Sequence, residues 1–278
     1  MPSALLGITI VLLFFVGSTP RAQQPAGVDD WINFDDSVGW ESGCANVDTD
    51  LSCKFNLRIY GQIDTQTVTK VQKALAHRPP NWRFNVTLNS EGGDIDVAMK
   101  LGRVFREARA RTQVEPTGSC QSACVLVFAG GVTRDTFGRR NIGIHRPALA
   151  RVPQQTDMNA VKIATDDAVR RLRAYAAEMN ISERLIDDML VIPPEKIRWL
   201  SDEDRNAYGL GSMDPVYAET IVLDGAKRYG ITPAEYRVRT ERAKSECKDE
   251  KGINPLAYVG WSNEPLTQCH EAILSGKR

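Results

Sequence analysis

The sequence has few histidines, no Cys-x-x-C pair and no block of five or six like charges, and each shortage removes a class of function. With three histidines in 278 residues and no paired cysteine motif, a zinc site has little to build on, and no metal or organic cofactor is expected. Thirty-five Lys and Arg balance thirty-five Asp and Glu, so no net charge draws the chain to nucleic acid or to an anionic membrane. The one basic patch, Arg-Arg-Leu-Arg at 170–173, reads as the solvated face of a helix. The apolar run from Ala4 to Gly17 falls short of the roughly 20 residues that span a bilayer. Internal repeats and low-complexity tracts are also lacking. What is left is an ordinary globular composition, 42% hydrophobic, sufficient for one domain of about 200 residues plus extensions.

That short apolar run has the form of a signal-peptide core followed by small and polar residues, with cleavage expected after Ala22. Pro20 and an n-region without Lys or Arg depart from the usual pattern. The expectation is an exported chain, periplasmic or secreted, that loses residues 1–22; an uncleaved membrane anchor is the alternative. Six cysteines in an exported chain can form disulfides, although six allow fifteen pairings. Local spacing suggests Cys44 with Cys53 and Cys247 with Cys269, against the alternative of free buried thiols.

Residues 23–55 are rich in Gly, Asp and Ser and read as an irregular leading segment. The main domain, 56–215, starts with the alternating strand pattern "CKFNLRIYGQI". Val68, Val71 and Leu75 then mark a helix, "RFNVTLNS" a strand, "NSEGGDID" a turn, and Ile95 to Ala108 a second helix. "TQVEP" is a brief extended segment, "SACVLVFAGG" a buried helix closed by Gly130 and Gly131, and "RRNIGIHRP" a strand stopped by Pro147. A long amphipathic helix is predicted from about Asp157 to Met179, with Met158, Val161, Ala164, Ala168, Leu172 and Tyr175 on one face. Ser182 is the expected cap of the next helix. "DEDRNAYGLGSMD" reads as a short helix ended by glycines, and residues 216–278 form a mostly helical extension.

Three of these pieces belong together chemically: the Gly-Gly turn, Ser122 at the head of a helix, and His145 at a strand end. A serine hydroxyl is a poor nucleophile until a base removes its proton, and histidine is the usual base. The attacked carbonyl develops negative charge, which backbone amides on a glycine turn and at a helix start can meet. Cys120 and Cys124 flank the serine at minus two and plus two. In a helical turn their Cα atoms would be about 6 Å apart, within disulfide range; a bridge that stiffens the turn and a pair of free thiols both stay open. His77 and His270 have no comparable context and read as surface residues.

From Leu57 to Met213, about 157 of 278 residues, the sequence resembles the proteolytic subunit of the Clp protease and its crotonase-like relatives. "NSEGGDID" is similar to the family's Asn-Ser-Pro-Gly-Gly turn, "SCQSACVLVFAGG" to its nucleophile helix, "IGIHRP" to its Ile-His-Gln-Pro, and "RWLSDEDRNAYGLGSMD" to its closing segment. The resemblance implies an α/β crotonase-like ββα superhelix with stacked sheets, self-association, and an acyl-enzyme peptidase acting on peptide or protein substrates. It places the nucleophile on Ser122, the base on His145, and the oxyanion donors on the amides of Gly93, Gly92 and Ala123. The family's third residue is an aspartate, and its position here holds Ile197. Glu195, two residues earlier, would point the same way in an extended segment. Asp187, Asp188 and Asp202 are further candidates, a bare Ser-His dyad is another solution, and an inactive scaffold or binding module is a third. The long helix near 157–179 falls where the family carries its ring-forming handle, while the cytoplasmic ATPase partner of Clp rings is not expected for an exported chain. Acyl-CoA chemistry on the same fold is disfavoured outside the cytoplasm.

Overall fold

The computed structural model describes residues 32–33, 37–44, 53–80, 82–137, 140–147, 157–211, 213–248 and 264–278; the expected signal peptide lies outside them. Among the described residues a nine-stranded sheet carries the fold. Its strands are β1 (Ile32–Asn33), β2 (Val38–Cys44), β3 (Cys53–Ile63), β4 (Arg83–Gly93), β5 (Arg111–Val114), β6 (Cys120–Gln121), β7 (Thr133–Asp135), β8 (Ile142–Ile144) and β9 (Arg198–Trp199). The helices are α1 (Thr65–Leu75), α2 (Ile95–Glu107), α3 (Cys124–Ala129), α4 (Met158–Glu178), α5 (Arg184–Val191), α6 (Asp202–Tyr208), α7 (Pro215–Tyr229), α8 (Pro233–Glu246) and α9 (Glu264–Leu274).

The sheet forks at β4. Residues Asn85 to Leu88 pair in parallel with β5, which continues to β7, whereas Ser90 pairs with Cys120 of β6, which leads to β8 and β9. The expected stacked sheets are thus two arms that share one strand. The period-two pattern that identified β3 and β4 buries Phe55, Leu57 and Ile59 on one strand and Phe84, Val86 and Leu88 on the other. Continuing that alternation, the next inward position on β4 is Ser90, almost fully buried. A polar residue occupies an apolar slot two positions before the Gly92–Gly93 end of the strand.

α1 and α2 start where their sequences provide an acceptor. Asp64 takes the amides of Gln66 and Thr67, and Asp94 takes those of Asp96 and Val97. α3 is buried along its whole length, so propensity and period say little about it and packing decides. The closing glycine Gly130 is not left-handed, as a helix stop would be; a Cβ there would lie 2.3 Å from the Gly102 carbonyl oxygen of α2. Close approach of two helices, and not a cap, fixes that residue. Tyr175 of α4 reaches the same crossing and donates its hydroxyl to the Leu126 carbonyl at 2.7 Å.

One buried guanidinium ties three helix ends. Arg134 donates to the carbonyls of Ala129, Met179 and Gly209 at 3.0, 2.8 and 2.6 Å, next to the C-termini of α3, α4 and α6. Each of those carbonyls lies at a helix end that lacks an intrahelical donor. Burial pushes the Arg134 pKa down, and the three acceptors replace the water it has lost.

Several expectations need correction. Residues 38–44 are not irregular: despite Gly39, Ser42 and Gly43 they pair antiparallel with β3 through to a directly opposed Cys44 and Cys53. Tertiary pairing overrides their weak strand propensity. Ser182 serves the start of α5 as expected through its side chain, its Oγ accepting from the Arg184 amide at 3.3 Å and its carbonyl from the Leu185 amide at 3.0 Å. The helix boundary nevertheless falls one residue later, where Glu183 takes the capping position without a side-chain bond. On α4 only the second half of the apolar face docks, through Ala168, Leu172 and Tyr175, while Met158 is 77% exposed. His77 is exposed and stacks on Trp40, but His270 is half-buried, and burial together with Lys244 lowers its pKa. Among its described residues the extension holds α7 to α9, and Ala243, Cys247, Leu266 and Ile273 form a small separate core where α8 meets α9. Among the described residues no helix is long and apolar enough to cross a membrane.

Candidate active site

The serine singled out by the sequence is the first residue of the two-residue joint, Ser122 and Ala123, between β6 and α3. Its backbone is left-handed, φ 54°, which an L-residue adopts at a cost of about 1–2 kcal/mol. The Ser122 amide donates to the Gly143 carbonyl at 2.9 Å, and its carbonyl accepts from Val125 at 3.1 Å, so both backbone groups are fixed by the neighbours. The side chain is half-buried.

The spacing of two cysteines around the serine has a structural outcome. Cys120 and Cys124 form a disulfide with a Cα separation of 5.2 Å, and both are fully buried. Cys120 ends on a strand and Cys124 opens a helix, so the bridge spans the joint that holds Ser122. The other two proposed pairs, Cys44–Cys53 and Cys247–Cys269, are also bonded.

The Gly-Gly segment, expected from the sequence to be a turn, stays in β4 as its last two residues, paired with Gln62 and Ile63, and presses against this joint. A Cβ on Gly92, φ 106°, would lie 2.7 Å from the Ser122 Cβ and 3.0 Å from the Ala123 nitrogen. Only glycine allows such an approach. At Gly93, φ 149°, a Cβ would lie 2.1 Å from the Ile63 carbonyl oxygen. The two glycine amides differ in their surroundings. Gly92 donates to the buried Ser90 hydroxyl at 3.0 Å, which occupies that amide. Asp94 donates to the Ile63 carbonyl on the β3 side at 2.9 Å, so strand alternation turns the Gly93 amide to the other edge, where β6 and Ser122 lie.

Asn89, also on β4, fastens the segment before β6. Its carbonyl oxygen accepts from the Ser119 amide at 3.1 Å, and its nitrogen donates to Glu115 at 3.0 Å. Glu115 also accepts from the Tyr60 hydroxyl at 2.9 Å; burial first, and then this hydrogen bond, raises the tyrosine pKa. Sequence reasoning passed over Asn89, Ser90 and Glu115. The signal available was the run of polar residues ending an otherwise apolar strand.

His145 follows β8 directly. β6 and β8 are parallel neighbours with Gln121 opposite Gly143, so His145 lies one residue beyond the position level with Ser122. The imidazole is half-buried, and its Nδ1 is 2.9 Å from the Arg146 carbonyl oxygen. Among the described residues the ring makes no hydrogen bond to Ser122; contacts of this kind commonly tighten only with substrate bound.

No candidate acid adjoins this imidazole through a hydrogen bond. Antiparallel pairing of Gly143 with Trp199 and of Ile144 with Arg198 carries Ile197 opposite His145. Glu195 is exposed in a turn closed by the Lys196 amide on the Pro193 carbonyl at 2.9 Å, so the extended geometry that would have aligned it with residue 197 is not present. Asp187 pairs with Arg173, Asp188 with Arg198 and the Tyr208 hydroxyl, and Asp202 with Arg205. No cluster of three or more His, Cys, Asp or Glu able to hold a metal ion occurs among the described residues.

Comparison with known proteins adds a family. No curated protein matches the chain. Among solved structures it is similar to a mutant of the 1510-N membrane-bound stomatin-specific protease, at 17% identity and a TM-score of 0.40, over 55% of this chain and 74% of that one. It is also similar to ClpP1 from Listeria monocytogenes, at 16% identity and a TM-score of 0.38, over 55% of this chain and 86% of that one. The Clp protease family profile matches residues 41–216, more than half of the sequence and the whole span from β3 to α6. The chain belongs to the Clp protease family.

Proposed function

We propose that this chain is an exported serine peptidase that cleaves amide bonds through an acyl-enzyme on Ser122. The observation that carries the reading is the strained joint itself: a left-handed serine, clamped by the 120–124 bridge, with the Gly92–Gly93 end of β4 on one side and the His145 strand on the other. His145 takes the hydroxyl proton as the Ser122 oxygen attacks the substrate carbonyl, then returns it to the leaving amine. A water activated in the same way releases the acyl group. The amides of Gly93 and Ala123 are the oxyanion donors; the Gly92 amide supports the strand end through Ser90 instead. Glu195 has no part in this scheme, since its turn does not align it with the histidine.

Three disulfides support residence in an oxidising compartment, in line with the signal-like N-terminus. Self-association is supported by the undocked first half of α4, where Met158 and Ile163 are 77% and 69% exposed. The second reading, a scaffold without turnover, is favoured by one observation, the isoleucine opposite His145.

A serine-directed fluorophosphonate probe separates the two. Labelling of the folded protein that disappears in Ser122→Ala and in His145→Ala supports the peptidase. No labelling of protein shown to be folded by circular dichroism leaves the scaffold.

A further inference from the structure

The geometry points to the Arg146 backbone carbonyl as the group that does the orienting work of the missing acid, holding His145 in the tautomer a base requires. This rests on the reading of His145 as the general base and adds its third partner. A carbonyl oxygen only accepts, so a hydrogen bond between it and Nδ1 at 2.9 Å requires the proton on Nδ1. A neutral imidazole carries one N–H. The lone pair is therefore on Nε2, the nitrogen left free to take a proton from a hydroxyl.

The carbonyl is itself held in place. The Arg146 amide donates to the Ile192 carbonyl at 2.9 Å, tying the residue to the end of α5. Buried Pro147 follows and keeps Arg146 out of the helical region, because its ring crowds the preceding backbone. The sequence His-Arg-Pro thus sets the ring without any side chain. An apolar residue fills the remaining position: a Cβ on Gly143 would lie 2.6 Å from Ile197 Cγ2, so the isoleucine packs across the strand beside the histidine.

The substitute is incomplete in one respect. An acid both selects the tautomer and stabilises the imidazolium that forms during attack, whereas a neutral carbonyl does the first fully and the second only in part. The charged groups on the adjoining elements are Arg146 itself, Arg198 of β9 with its partners Asp204 and Asp188, and exposed Glu195 and Lys196. None is a carboxylate hydrogen-bonded to the ring.

Two measurements on the full chain test this. Long-range proton–nitrogen NMR of histidine-labelled protein in alkaline buffer reads the tautomer directly, with the His145 signal identified by its loss in His145→Gln. The expected result is a protonated Nδ1 and an unprotonated Nε2; the reverse assignment overturns the inference whether or not the protein has activity. The second measurement is the fluorophosphonate labelling rate of Ile197→Asp against Ile197→Asn. Because the tautomer is already set, only the charge-stabilising share is recovered, and the Asp variant should label roughly tenfold faster, with the Asn variant unchanged. A gain on the order of ten-thousandfold in a folded Asp variant, or an equal gain in the Asn variant, overturns it, since either means that the tautomer was not already set. Absence of any Ser122 labelling would instead sink the peptidase reading and leave the NMR result to decide the tautomer alone.

Discussion

Removing the bridge around Ser122 should separate its effect on the serine from its effect on the fold. The substitution is Cys120→Ala with Cys124→Ala, preferable to a reductant because both sulfurs are fully buried. The chain-entropy estimate for a loop of about five residues gives about 2 kcal/mol of lost stability. For a domain of this size that lowers Tm by about 4–8 °C. The local effect is larger in functional terms. Ser122 is held at φ 54°, and a backbone free to relax from that region gains about 1–2 kcal/mol. Once the clamp is gone, the population in the reactive geometry falls by roughly 5- to 30-fold. The fluorophosphonate labelling rate should fall by the same factor while the circular dichroism spectrum stays that of the folded chain. Cys44→Ala with Cys53→Ala is the control: that bridge joins β2 to β3 away from the serine, so it should cost stability with little change in labelling. A double variant at 120 and 124 that labels at the wild-type rate would refute the clamp.

Gly92→Ala should abolish labelling even if the protein folds, because the added methyl carbon would lie 2.7 Å from the Ser122 Cβ; labelling at the normal rate would mean the Gly-Gly segment does not abut the serine as described. Arg134→Met should destabilise the chain by at least about 3 kcal/mol in urea titration, since three helix-end carbonyls lose their donor at once. For Asp214, burial works to raise the carboxyl pKa, but hydrogen bonds from Arg106, Asn180 and the Tyr217 amide outweigh it and hold the pKa below its ordinary value. That stability is present above the ordinary carboxylate pKa of about 3.9 and lost as pH falls through the lower folded value. The Tm gap between wild type and Asp214→Asn should therefore be steady near neutrality and close in strong acid.

Much of the main domain was legible because its period-two and period-3.6 patterns are strong. β3, β4, α1, α2 and α4 lie close to where alternation and helical spacing put them. What was hidden depends on partners far along the chain. β2 was obscured by glycines that pairing with β3 overrides, and the fork at β4 leaves no local trace beyond a buried Ser90. At the site, the Gly-Gly segment, Ser-x-Cys and His-Arg-Pro fall on or directly after β4, β6 and β8, which the sheet makes neighbours. The partner of His145 Nδ1 was not recoverable by inspection of side chains, since it is a main-chain oxygen, which every residue possesses and no sequence advertises. Glu195 failed for a related reason: its alignment assumed an extended segment, and the Pro193–Lys196 turn bends it away.

The fork in the sheet has a mechanical consequence. Because one strand serves both arms, the two cannot slide past each other without straining the three residues Leu88 to Ser90, just upstream of the glycine pair. Loosening of the core and loosening of the reactive joint are thereby geared together. Amide exchange at Ser90, whose nitrogen donates to Ser119 at 2.7 Å, should slow and quicken in step with exchange at Leu88 across any series of destabilised variants.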